Sequence, residues 1–267
     1  MKFRILALLL IFAVSCAAPP VKEEITKAPG DTNISSLEKF FKRSEGDSIR
    51  AGHVIEKHNI IQQLTHLRLM DKGGKKYYLL ERENITEMIN AVTEGIYLDY
   101  VIINKHGDII YTKKNDTLFG TNVNEGYEET PLKKCFAMRR GVYFEDVALI
   151  TPGSETYSLY VSAPVYVQQN FHGILVMLID ISKISEILEK NTDVVNRDGV
   201  IKITDDYSRI NSAIQENIGL KINDAVRDGD ISMEKSSEEI NLKSFNYNSI
   251  SWILVKKKTQ TLTSYNR

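Results

Sequence analysis

One pattern occurs twice in this chain, and the repeat limits what the chain can fold into. Asn104, Gly107 and Thr112 are answered ninety-two residues later by Asn196, Gly199 and Thr204. In each copy a β-branched run (Val101-Ile102-Ile103 or Val194-Val195) enters a polar turn and leaves it through another (Ile109-Ile110 or Val200-Ile201). That is the signature of a hairpin, and the glycine after a polar pair supplies the positive φ its turn needs. A further match sets Phe119-Gly120 against Ile218-Gly219, at an offset of ninety-nine. Matches in register inside one chain imply two related β modules rather than one continuous sheet.

Ahead of the first hairpin the periodicity is helical. Leu37, Phe40, Phe41, Ile49, Val54, Ile55, Ile60, Ile61, Leu64 and Leu67 recur at three- and four-residue spacing, which predicts a long first helix with a break near Gly46 or Gly52. Asp71-Lys72-Gly73-Gly74 is expected to end it, and Tyr77 to Val92 forms a second helix before Gly95. Strands follow at Tyr97 to Ile103, Ile109 to Thr112, Val142 to Leu149, Tyr157 to Val167 and Gly173 to Ile181. Asp180-Ile181-Ser182 then opens a helix over Lys183 to Lys190 that leads into the second module. That module has a hairpin, a helix around Ser208 to Gln215, a turn at Gly219 and closing strands at Ile240 to Tyr247 and Trp252 to Lys256. Helices first and antiparallel strands afterwards make an α+β fold.

The N-terminus reads as a leader. Met1-Lys2-Phe3-Arg4 is basic, Ile5 to Val14 is apolar, and Ala13-Val14-Ser15-Cys16 closes the run with small residues. Ten apolar residues span about 15 Å as a helix, half of a ~30 Å hydrocarbon core, so export with cleavage is favoured over an uncleaved anchor. The junction resembles a bacterial lipoprotein signal, which implies that Cys16 is lipidated (a palmitate-type acylation) and becomes the mature N-terminus; ordinary cleavage near Ala17-Ala18 is the alternative. Residue 17 is Ala rather than Asp, which by the same resemblance favours the outer membrane. The division along the chain is then 1–15 signal peptide, 16–35 lipidated cysteine and tether, 36–95 N-terminal helices, 96–190 first module, 191–258 second module and 259–267 polar tail.

A net charge of −1, with 34 basic against 35 acidic residues, offers no basic stripe for nucleic acid. Two cysteines, Cys16 and Cys135, leave no disulfide framework for the mature domain, so the hydrophobic core must hold it. Cys135 beside Phe136 reads as a small buried hydrophobe. His53, His58 and His66 miss the spacing of a helical metal pair and read as a solvated face, and no phosphate loop, HExxH or GxSxG occurs. Neither a metal, a cofactor nor an enzymatic activity is expected.

Five short motifs taken together carry a resemblance: Val101 to Ile110, Phe119-Gly120-Thr121-Asn122, Val142 to Val147, Ser162-Ala163-Pro164-Val165-Tyr166, and Gly173-Ile174-Leu175 through Ile179-Asp180-Ile181. In this order and spacing they resemble the double Cache domain, the extracytoplasmic sensor of bacterial chemoreceptors and histidine kinases, over about residues 36 to 258. The resemblance implies a long N-terminal helix followed by two PAS-like antiparallel-sheet modules, a larger membrane-distal one that usually holds a small ligand and a smaller membrane-proximal one. A receptor of this type continues into a transmembrane helix and a signalling domain. Here a short polar stretch follows Leu254, so signalling is expected to need a separate membrane receptor or transporter.

The resemblance also implies site residues. Amino-acid-sensing relatives hold the ligand ammonium with an aromatic-x-Asp element and a second Asp at the end of the last strand; these positions fall on Phe144, Asp146 and Asp180. Their Arg-x-Trp element, which takes the ligand carboxylate, has no counterpart in Glu128-Glu129-Thr130-Pro131-Leu132; Arg139 and Arg140 lie downstream and the only tryptophan is Trp252. An amine-containing ligand therefore fits better than an α-amino acid. Tyr160 shares a strand face with Ser158 and Ser162, a mixed face suited to a pocket wall. Each residue also has a plainer reading: Asp180 as a helix N-cap, Asp146 as a solvent-facing strand residue opposite Tyr143, Glu145 and Val147. Two functions follow, a lipid-anchored exported protein that binds a small metabolite and hands it or its signal to a membrane partner, or an interaction lipoprotein that keeps the fold without a ligand.

Overall fold

A computed structural model describes residues 31–125, 129–215, 219, 222, 235–236 and 240–257. The leader, Cys16 and the tail lie outside the described residues. The chain runs through helices α1 (Asp31–Lys57), α2 (Ile60–Leu69) and α3 (Asp71–Asn90), then strands β1 (Tyr97–Asn104) and β2 (Ile109–Thr112). Helix α4 (Pro131–Ala137) precedes β3 (Tyr143–Leu149), β4 (Tyr157–Val167), β5 (Asn170–Asp180) and the short α5 (Ile181–Ser185). The second module holds β6 (Thr192–Asn196), β7 (Ile201–Ile203), β8 (Lys235–Ser236), β9 (Ile240–Tyr247) and β10 (Ile250–Lys257). All described strand pairs are antiparallel, in two sheets ordered β2-β1-β5-β4-β3 and β7-β6-β10-β9-β8. Sheet, order and helical preface agree with the α+β expectation.

The first helix does not break at its glycines. Leu37, Phe40, Phe41, Ser44, Asp47, Ser48, Ala51 and Ile55 form one buried stripe, and burial along it outweighs the ~1 kcal/mol that a helical glycine costs relative to alanine. The break falls at Asn59, which adopts the left-handed conformation (φ 52°) that asparagine tolerates. Nor does Asp71-Lys72-Gly73-Gly74 end a helix: extended Met70 (φ −80°, ψ 117°) does, and α3 begins at Asp71. Buried Tyr78, Ile85 and Ile89 anchor α3 on the sheet, so the helix continues back over the glycine pair. Helix α1 also starts inside the segment read as tether, at Asp31.

The repeat is visible at atomic detail. Asn104 Oδ1 accepts from the backbone N–H of His106 (2.9 Å) and Asp108 (3.0 Å), and Asn196 Oδ1 accepts from Asp198 (3.1 Å) and Val200 (2.8 Å). Gly107 (φ 91°) and Gly199 (φ 75°) complete the two turns. The partner of Gly120, however, is not Gly219. Gly120 N–H donates to Ile109 O (2.8 Å) and Ile109 N–H to Thr121 O (2.8 Å); Asn211 N–H donates to Ile201 O (2.7 Å) and Ile201 N–H to Ser212 O (2.9 Å). Asn211 (φ 65°) therefore does the work of Gly120 (φ 85°), because either residue can occupy left-handed backbone. Ile218 lies outside the described residues. The helix expected around Ser208 to Gln215 is a 3₁₀ turn at Tyr207–Arg209, followed by this return to the hairpin.

Helices α1–α3 cover one face of the first sheet, packing on Ile102, Leu159, Val161, Leu175, Met177 and Ile179. On the outer face Val101, Ile103, Tyr160, Ile174 and Val176 pack under Leu132, Cys135 and Phe136 of α4. The two sheets meet around Phe41 of α1, whose ring lies 5.0 Å from Phe144, 5.2 Å from Phe245 and Tyr247 and 5.5 Å from Trp252. Edge strand β3 would leave backbone groups unpaired, and the β9–β10 turn meets them: Phe144 N–H donates to Ser249 Oγ (3.3 Å), Ser249 Oγ–H donates to Phe144 O, and Asn248 donates to Val142 O (2.8 Å).

Candidate functional site

A β-bulge decides which side chains of β3 lie on each face of the first sheet. Glu145 pairs with Tyr160 and Ala148 with Ser158, so three steps along β3 match two along β4. Asp146 occupies the extra position. Phe144 and Val147 consequently both join the helix-side core, where Val147 had been expected to face the other way. Tyr143 and Ala148 pack against the outer cluster, and Glu145 alternates with Phe144 toward the same side.

Outside that bulge lies a cavity of about 400 Å³, lined among others by Pro131, Lys134, Glu145, Tyr157, Lys202 and Asn211. Helix α4 owes its position to a cap and a proline: Thr130 accepts from Lys133 N–H (3.2 Å), and Pro131 starts the helix where its missing N–H costs nothing. From α4, Lys134 Nζ reaches Glu145 Oε1 at 3.0 Å, while Tyr143 Oη donates to Glu145 Oε2 at 2.6 Å. The bond to Glu145 holds the Lys134 ammonium above the usual lysine range. Burial, with the same carboxylate as acceptor, pushes the Tyr143 phenol up, so it stays a neutral donor. The Glu145 carboxylate is only 12% exposed. Opposite it, Lys202 of β7 enters from the second sheet, 13% exposed, with Nζ 3.3 Å from Val147 O and 3.8 Å from Asp146 Oδ2.

The four expected ligand residues are distributed differently. Phe144 is 1% exposed and packed in the seam between the sheets. Asp146 accepts from Trp252 Nε1 (2.9 Å) and from Val147 N–H (2.7 Å), and burial raises its pKa against the opposing pull of Lys202. Tyr160 is fully buried beneath the outer cluster and donates to Ala148 O (3.1 Å), so its face is core at that point rather than open wall. Asp180 accepts from Ser182 N–H (2.9 Å) as the N-cap of α5 and stands opposite Ser158 in register. Ser158 does line a second cavity of about 330 Å³, with Asp99, Lys114 and Glu155. Glu145 and Lys134 escaped the sequence reading. Tyr143-x-Glu145 alternation on the other face of the strand was the available signal for the first, and a cation one helical turn from Pro131 for the second. Arg139 lies over Phe136 (4.7 Å) and Phe171 (5.0 Å), and Arg140 is exposed. Cys135 is buried in the outer cluster, and His53, His58 and His66 are all exposed.

The sequence matches no family model and no curated protein. Solved structures with the same architecture do exist. An extracellular ligand-binding receptor from Desulfohalobium retbaense superposes with a TM-score of 0.58 at 12% identity, over 85% of this chain and 40% of that one. This chain thus spans two-fifths of that receptor's length. The sensor domain of the V. cholerae histidine kinase DctB gives 0.54 at 15% identity, covering 85% and 96% of the two chains. The ligand-binding domain of the Campylobacter jejuni chemoreceptor Tlp3, solved with 4-methylisoleucine, gives 0.53 at 10% identity, covering 85% and 87%. The fold is that of the double Cache domain found in extracytoplasmic sensors. Among the described residues no helix is long and apolar enough to cross a membrane.

Proposed function

We propose that this chain is an exported, lipid-anchored Cache-type binding protein that takes up an amine-containing metabolite and presents it to a separate membrane receptor or transporter. The observation that carries this reading is the Glu145–Lys134 pair, backed by Tyr143, at the wall of a 400 Å³ cavity. A cavity of this size suits a small metabolite. A largely enclosed carboxylate holds an ammonium well, since charge-assisted hydrogen bonds contribute about 1.5–3 kcal/mol each. Lys134 is 45% exposed, and a pair open to water on one side is worth about 0–1 kcal/mol, so an incoming ammonium displaces it at little cost. In this reading Tyr160 and Phe144 support β3 from its two faces, Asp146 places Lys202, and Asp180 sets the end of β5. Cys16 carries the lipid, and chemistry on a substrate is not part of the role.

The test is a thermal-shift screen of the purified chain against amines, polyamines, L-amino acids and organic acids. Occupancy at a hundredfold over Kd adds about 2.7 kcal/mol, a rise of roughly 5–10 °C for a chain of this size. The expected result is a hit of that size that Glu145→Gln abolishes; a flat screen overturns the reading. A second reading, an interaction lipoprotein, draws on exposed apolar side chains: Leu69 (73% exposed) on α2, and Leu80 (63%) and Tyr77 (52%) on α3, are left uncovered. A flat screen together with a stoichiometric protein partner lost on Leu69→Asp/Leu80→Asp would favour it.

A further inference from the structure

Lys202 is the one described cation from the second sheet at the wall of the β3 cavity, and its own bonding is incomplete. It spends one donor on Val147 O (3.3 Å), and Asp146 Oδ2 lies 3.8 Å away, beyond hydrogen-bonding distance. The Asp146 hydrogen bonds run through Oδ1, which accepts from Trp252 Nε1 and Val147 N–H, so Lys202 is tied to this carboxylate by charge rather than by a hydrogen bond. An ammonium carries three donors, so Lys202 keeps capacity for an acceptor inside the cavity. The other charged groups lining it are Lys134, 45% exposed and paired with Glu145 until a ligand ammonium displaces it toward solvent, and the carboxylates of Glu129 and Glu145.

Resting on the reading above, we infer that Lys202 is a specificity-determining residue, taking an acidic group of the ligand while Glu145 takes its ammonium. The bound molecule then bridges β3 of the first sheet and β7 of the second. A zwitterion fits this arrangement better than a simple amine, and the absent Arg-x-Trp element is compensated from the other module. Occupancy would also tie the two sheets together, since the ligand replaces the loose 3.8 Å contact with a closer one. This gives the second sheet a direct part in reading the ligand.

Titration calorimetry with matched pairs that differ by one carboxylate tests the inference: L-leucine and isopentylamine, L-lysine and cadaverine, L-tyrosine and tyramine, L-histidine and histamine. In the unmodified chain at least one amino acid should bind tenfold or more tightly than its amine. Lys202→Met should cut that ratio at least tenfold, and Lys202→Arg should retain most of it, with melting curves confirming that both variants fold. An unchanged ratio in Lys202→Met overturns the inference and leaves the binding reading standing. So does a ratio lost instead in Lys134→Met, which would place the acid contact inside the first module. Amines binding as well as amino acids would also refute it alone, whereas no binding in either series would remove both readings.

Discussion

Trp252 Nε1 meets Asp146 Oδ1 at 2.9 Å across the seam between the sheets, and this bond sets what substitution at Asp146 will do. Asn keeps an acceptor for Trp252 and for Val147 N–H; Ala strands both donors. Asp146→Ala should therefore cost about 1–3 kcal/mol, and Asp146→Asn far less, as read from urea unfolding with Trp252 fluorescence. The pH dependence has a definite sign. Burial raises the Asp146 pKa, so between the ordinary carboxylate value and the raised one the folded chain holds more protons than the unfolded chain. Stability contributed at this residue thus falls as pH rises through that window and is level above it. Asp99, raised by burial as well, acts in the same direction, so the difference between the unmodified chain and Asp146→Asn isolates the term. A slope unchanged in Asp146→Asn would contradict it. The residue types here were legible, but the side of the strand on which Asp146 stands was not: one inserted residue between Glu145 and Ala148 reverses the alternation, and nothing local in the sequence marks it.

Among the elements, α1 shows how packing overrides propensity. Gly52 lies inside the helix, and a Cβ built there meets no atom within 4 Å. Gly52→Ala should accordingly stabilise the chain by about 0.5–1 kcal/mol through helix propensity and a less flexible unfolded state. A lowered melting temperature would show that the site needs glycine for a reason other than backbone freedom. Gly173 is the contrasting case. It pairs with Asn104, and a Cβ there would stand 2.2 Å from Ile103 O, so this strand glycine permits the approach of β1 to β5. Strands were read closely because their β-branched runs are long and bounded by turns: β4 at Tyr157–Val167 has the limits expected. Helix ends were read less well. Asn59 and Met70, rather than the glycines, break the helices, since the buried stripe decides where a helix can continue.

For the whole molecule, Phe41 links both sheets to one helix, with four aromatic rings of the two sheets around it. Removing a buried phenylalanine ring costs about 3–5 kcal/mol, and here the loss falls on the junction. In the unmodified chain the two sheets are expected to unfold together; in Phe41→Ala the fluorescence of Trp252, the sole tryptophan, should change before far-UV circular dichroism. Coincident transitions in the variant would mean that the seam hydrogen bonds alone couple the sheets. The repeat, the α+β class and the polar turn chemistry at Asn104 and Asn196 follow from the sequence alone, because hairpins and helices are written in local periodicity and in residues suited to unusual backbone. Tertiary structure alone decided that Asn211 answers Gly120, that Asp146 belongs to the seam, and that Glu145, Lys134 and Lys202 share one cavity. Lys134 and Lys202 stand on different modules, and they share a cavity wall with Glu145 only because α4 and the second sheet both dock beside β3. Such a meeting depends on how two sheets dock around Phe41, a product of long-range packing that no window of sequence contains.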